Sequence, residues 1–200
     1  MPNEVQRFSA NADPHDILQY IKADGVVVIE GATTGRVVDA VLEEAGECQD
    51  GLNFALAGRS ATFATKLLMN PLFTDLAKRI LTDTYVVYYE QERTVSTSLP
   101  QVSQTSIIRA APGSKPWGLR RQDECHHVSH PAKRESDLGI AYAATDITKT
   151  NGALRVVLGS NAWLDSRDPK KEEEVEIELR KGDAVLWYGF PVHHICLKSY

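Results

Sequence analysis

Six histidines are the residues with the most chemical potential in this 200-residue chain. Four fall in two adjacent pairs, His126-His127 and His193-His194, while His15 and His130 stand alone. Imidazole and carboxylate are the donors a divalent transition metal takes from a protein. Asp123, His126, His193 and His194 therefore form one candidate ligand set. Asp123 and His127 are four apart, so they can share a face. The plainer reading is that the pair at 126–127 serves packing or substrate hydrogen bonding. His15, in the first turn of a helix, and His130, before Pro131, are expected at the surface. Cys125 adjoins the histidines, but a core thiol is the simpler role. Cys48, Cys125 and Cys196 are an odd count without a CxxC pair, which argues against a disulfide framework and for a reducing, cytoplasmic setting.

Elements that would position these residues are legible around them. Asp13-Pro14 is a helix start, with Asp13 capping and Pro14 in the first turn. Ile17, Leu18, Tyr20 and Ile21 then recur at helical spacing until Asp24-Gly25 stops the run. Val26 to Ile29 predicts a buried strand. A second helix is predicted from Thr34 to Ala45, a loop from Gly46 to Gly58, and helical pieces from Ala61 to Met69 and Pro71 to Leu81, with Asn70-Pro71 as cap and first residue. Beyond Thr84 the pattern turns to short strands: Tyr85–Tyr89, Ser103–Ala110, Leu138–Asp146, Leu154–Leu158, Val175–Leu179 and Ala184–Tyr188. Asn151-Gly152 and Lys181-Gly182-Asp183 are turn signals. The charge run from Asp168 to Glu174 reads as a solvated loop. The order predicts an α+β fold, a β-sandwich or jelly roll behind a helical layer. One domain over 1–200 is expected, helical over about 13–82 and jelly-roll over about 84–200, because no Pro/Gly/Ser-rich linker divides the halves.

Charge and hydropathy exclude other classes. A net charge of −5 offers no electrostatic case for nucleic acid or an anionic membrane. No apolar run reaches the ~18 residues of a membrane span. Residues 1–11 lack the charged and apolar regions of a secretory signal.

Three stretches carry a resemblance when taken together: Ala111 to His127 (APGSKPWGLRRQDECHH), Asp146 to Asn161 (DITKTNGALRVVLGSN) and Lys181 to His194 (KGDAVLWYGFPVHH). In this order and spacing they resemble the phytanoyl-CoA dioxygenase family of iron(II)/2-oxoglutarate enzymes, in the fungal branch that oxidises meroterpenoids and alkaloids. The resemblance implies a double-stranded β-helix with N-terminal helices packed on it. It also implies a metal held by an H-x-D motif and a distal histidine, with 2-oxoglutarate and O2 on the remaining positions.

The same resemblance exposes departures. Leu119-Arg120-Arg121-Gln122-Asp123 stands where the family carries its H-x-D text, so Arg120 replaces the first histidine and Gln122 the aspartate. A guanidinium stays protonated in proteins and cannot ligate iron(II). His193 matches the distal histidine. Trp117 and Leu154 replace residues at 2-oxoglutarate positions, and Asn161 ends the text that is PGSH-like in the family. The chain stops at Tyr200, with Lys198 the only cation after His193, so the β-helix is expected to be incomplete and to lack the arginine that pairs with 2-oxoglutarate. These departures lead to the expectation of a non-catalytic subunit, without a cofactor of its own, that pairs with a paralogous intact dioxygenase holding iron(II) and 2-oxoglutarate. A terpenoid-like substrate would lie at the shared pocket. The alternatives are a relocated metal site among Asp123, His126, His193 and His194, a metal-free isomerase or hydrolase in the same pocket, and a truncated product without a role.

Overall fold

The computed structural model describes residues 4–110, 119, 135–164, 166–188 and 193–195. In chain order its elements are β1 (Arg7–Ser9), α1 (Pro14–Asp24), β2 (Val26–Glu30), α2 (Gly35–Ala45), β3 (Gly51–Phe54), α3 (Leu56–Arg59), a π-helical segment at Phe63–Leu68 and α4 (Pro71–Leu81). There follow β4 (Asp83–Tyr89), β5 (Glu92–Ser98), β6 (Ser106–Arg109), β7 (Leu138–Tyr142), β8 (Leu154–Val157), β9 (Glu174–Ile177), β10 (Ala184–Tyr188) and β11 (His193–Ile195).

Local chemistry accounts for the helix boundaries. The Asp13 carboxylate accepts the His15 N–H at 2.8 Å, and Pro14 occupies the first turn, where a missing N–H costs nothing. Gly25, at φ 79°, closes α1 in the left-handed region. Asn70 and Pro71 repeat the arrangement for α4, with the Asn70 side chain accepting the Leu72 N–H at 3.0 Å.

Two sheets face each other. The larger has the order β1-β2-β10-β7, and the smaller the order β11-β8-β9. β1 joins β2 in parallel; the other pairings are antiparallel. β2 is apolar from Val26 to Ile29 because both of its faces are covered. Val27 and Ile29 pack on Ile17, Ile21, Phe73 and Leu76 of the helical layer. Val26 and Val28 point the other way, to Val156, Ile177 and Val185 between the sheets. This is the jelly-roll architecture the sequence predicts, with helices outside the larger sheet.

Several expectations need correction. Gly46 to Gly58 is not a plain loop: it contains β3, which pairs with β6 from Gly51↔Arg109 to Phe54↔Ser106, and the short α3. The helical piece expected from Ala61 to Met69 is present, and is π-helical over Phe63–Leu68. The strand expected over Ser103–Ala110 narrows to β6, and that over Leu138–Asp146 to β7 plus an isolated bridge from Ile147 to Leu179. Strands β1, β5 and β11 are additional to those the sequence predicts, and β1 and β3 interrupt or precede the helical stretch. His15 is exposed, as expected.

Candidate functional site

β11 carries the two histidines that the sequence singles out. Its register is His193↔Val156, His194↔Arg155 and Ile195↔Leu154. In a ladder, directly paired residues occupy the same face. Position 193 is thus in the row of Val156, which is buried between the sheets, and position 194 in the row of Arg155.

The interior around this row is apolar. Val26, Val28, Ala143, Val156, Ile177, Leu179 and Val185 form the buried cluster, with Leu154 and Trp187 packed at its margin. Leu154, at a 2-oxoglutarate position of the family, contributes hydrocarbon and no polar group. Trp187 pairs with Gly139 across β10 and β7. A Cβ at Gly139 would overlap the indole, so the glycine makes the space the ring fills.

On the row of position 194 the structure shows a feature the sequence reading missed. Arg155 pairs with Glu174 at 3.2 Å and Glu176 at 3.1 Å, and little of either partner of the first pair is exposed. Its guanidinium is thus engaged by two carboxylates through its terminal nitrogens. The strict Glu alternation of β9 was the signal: Glu174 and Glu176 lie on one face two residues apart.

Two more polar residues are set deep. Asp183 is 5% exposed, and its carboxylate accepts the Gly31 N–H at 2.8 Å and the Arg180 N–H at 2.9 Å. Glu135 is 9% exposed. Burial, and then the nearby Asp137 charge, push its carboxyl above the usual carboxylate range. A groove of about 380 Å³ is lined by Arg7, Glu30, Asp146, Thr148, Glu178 and Arg180 among others. Its charges are partly paired within it, Arg7 meeting Glu30 at 3.4 Å, and it holds none of the predicted site residues.

Trp117, Arg120, Gln122, Asp123, Cys125, His126, His127 and His130 lie outside the described residues. Among the described residues, no group of three or more His, Cys, Asp or Glu side chains is placed to hold a metal. The donor set itself answers whether iron(II) fits the positions the resemblance assigns. A fixed cation at 120 and a neutral amide at 122 replace a histidine and a carboxylate, so the set does not fit.

Comparison with known proteins agrees with the fold. The family model described as phytanoyl-CoA dioxygenase (PhyH) matches residues 21–194. The Fe(II)/2-oxoglutarate-dependent dioxygenase nvfF of Aspergillus novofumigatus is 30% identical over 94% of this chain and 68% of its own length. Dioxygenase cnsJ of Penicillium expansum is 27% identical over 96% of this chain and 65% of its own. Dioxygenase himG of Aspergillus japonicus is 25% identical over 89% of this chain and 62% of its own. The chain thus spans about two thirds of the length of these relatives. Among solved structures, the non-heme alpha ketoglutarate dependent carbocyclase SnoK from nogalamycin biosynthesis superposes with a TM-score of 0.66 at 17% identity, covering 97% of this chain and 81% of SnoK. HygX from Streptomyces hygroscopicus, with iron bound, gives 0.63 at 14% identity, covering 94% and 82%. These structures share the fold. No described helix is long and apolar enough to cross a membrane.

Proposed function

We propose that this chain, which belongs to the phytanoyl-CoA dioxygenase (PhyH) family, is a non-catalytic subunit that pairs with and stabilises an intact iron(II)/2-oxoglutarate-dependent dioxygenase. Iron(II) and 2-oxoglutarate reside in the partner. The complex acts in oxidative tailoring of a fungal-type secondary metabolite, terpenoid-like in character, in the cytoplasm. The relatives named as dioxygenases support the reaction class. The observation that carries the reading is the pair Arg120 and Gln122, which stands where two of three metal ligands would be. One substitution would weaken a metal site; an arginine and a glutamine together remove a donor and a negative charge and add a repelling cation. Among the described residues β11 pairs with β8, and an apolar interior lies between the sheets. A scaffold kept without its ligands suits a role carried out through another chain.

Metal content tests this. The purified chain, incubated anaerobically with iron(II) and desalted, is expected to retain far less than one iron per chain. The double variant Arg120→His/Gln122→Asp, which restores an H-x-D text ahead of His193, is expected to retain markedly more. Co-expression with an intact dioxygenase from the same source is expected to yield a complex. Stoichiometric iron in the unaltered chain, lost on His193→Ala, would instead establish a relocated metal site and overturn the reading.

A further inference from the structure

We draw no further inference here: the strongest candidate, the groove of about 380 Å³ beside β1 and the end of β2 where Asp146, Glu178 and Asp183 gather, is a cluster of acidic side chains held by backbone N–H groups of neighbouring turns, and nothing among the described residues points to a ligand for it.

Discussion

Replacing Asp183 by alanine is the perturbation whose cost the structure states most directly. The carboxylate is nearly sealed from solvent and accepts two backbone N–H groups, from Gly31 at 2.8 Å and Arg180 at 2.9 Å. Gly31 follows β2 and Arg180 precedes β10, so one side chain ties the loop leaving the central strand to the turn entering its neighbour. The corner is closed from the other side by the Thr33 N–H, which donates to the Gly182 carbonyl at 2.9 Å. A hydrogen bond to a charged group contributes about 1.5–3 kcal/mol. Alanine forfeits two and leaves two amides to whatever water the new space admits, so a loss of about 3 kcal/mol is expected. For a chain of this size that corresponds to a fall of about 6–12 °C in Tm. The variant Asp183→Asn keeps one acceptor oxygen on the side chain and should lose about half as much. Glu43→Gln, which removes an exposed charge of α2, serves as the control and should shift Tm little. Thermal unfolding followed by circular dichroism reads all three. An Asp183→Ala shift below about 2 °C, or an asparagine variant less stable than the alanine one, would refute the assignment of Asp183 as the anchor of this corner.

Three further outcomes follow from single side chains. The Glu44 carboxylate accepts the Ser60 hydroxyl at 2.7 Å and the Thr62 N–H at 2.9 Å; chiefly the Thr62 hydroxyl and N–H hold its pKa below the usual 4.5. A depressed folded pKa gives stability that is full above the unfolded value and is lost as pH falls, so Tm should decline below about pH 4.5, less steeply in Glu44→Gln. Glu135 has the opposite sign: burial raises its folded pKa, and its favourable contribution exists below the unfolded value and disappears as pH rises through the folded one. Glu135→Gln should therefore raise Tm at about pH 7.5 and lose that advantage near pH 4. The Tyr142 hydroxyl donates to the Leu67 carbonyl at 2.8 Å, tying β7 to the π-helical segment, while burial pushes the phenol pKa up. Tyr142→Phe should cost about 1 kcal/mol and about 2–4 °C in a melting experiment.

The legible parts of the fold are those whose signals are local. Asp13-Pro14 and Asn70-Pro71 mark helix starts because capping needs only a side chain and the next two amides. The Val26–Ile29 run marks the central strand because a strand covered on both faces has no polar side to interrupt it. The missed elements depend on distant partners. β3 is a strand only because Gly51 to Phe54 meets β6 more than fifty residues later, and its own text holds glycine and asparagine. β5 reads as polar on both faces, and its turn uses Glu90 and Gln91 where glycine or asparagine would have announced positive φ. At the candidate site, His193 could be matched by text, but its row in the ladder is set by pairing with Val156, which no local pattern encodes. The Arg155 ion pairs belong to the same class, since they join β8 to β9.

Whether the scaffold needs a metal bears on the proposed role. A structural metal contributes folding energy outright, and losing its ligands then unfolds the domain. Here the strands that carry the interior are held by hydrocarbon. Val26, Val28, Val156, Ile177 and Val185 close the space between the sheets, and Ile17, Ile21, Phe73 and Leu76 seat the larger sheet on its helices. None of these residues is a candidate ligand. β11 is attached through its ladder to β8, and β8 in turn through its ladder to β9. The contacts named above join only hydrocarbon side chains, none of them at a position the resemblance assigns to a ligand. A core built from hydrocarbon in this way is compatible with the proposed role as a folded partner. It also makes the Arg120→His/Gln122→Asp variant informative, because iron gained by that variant would measure the ligand set and not a repaired fold.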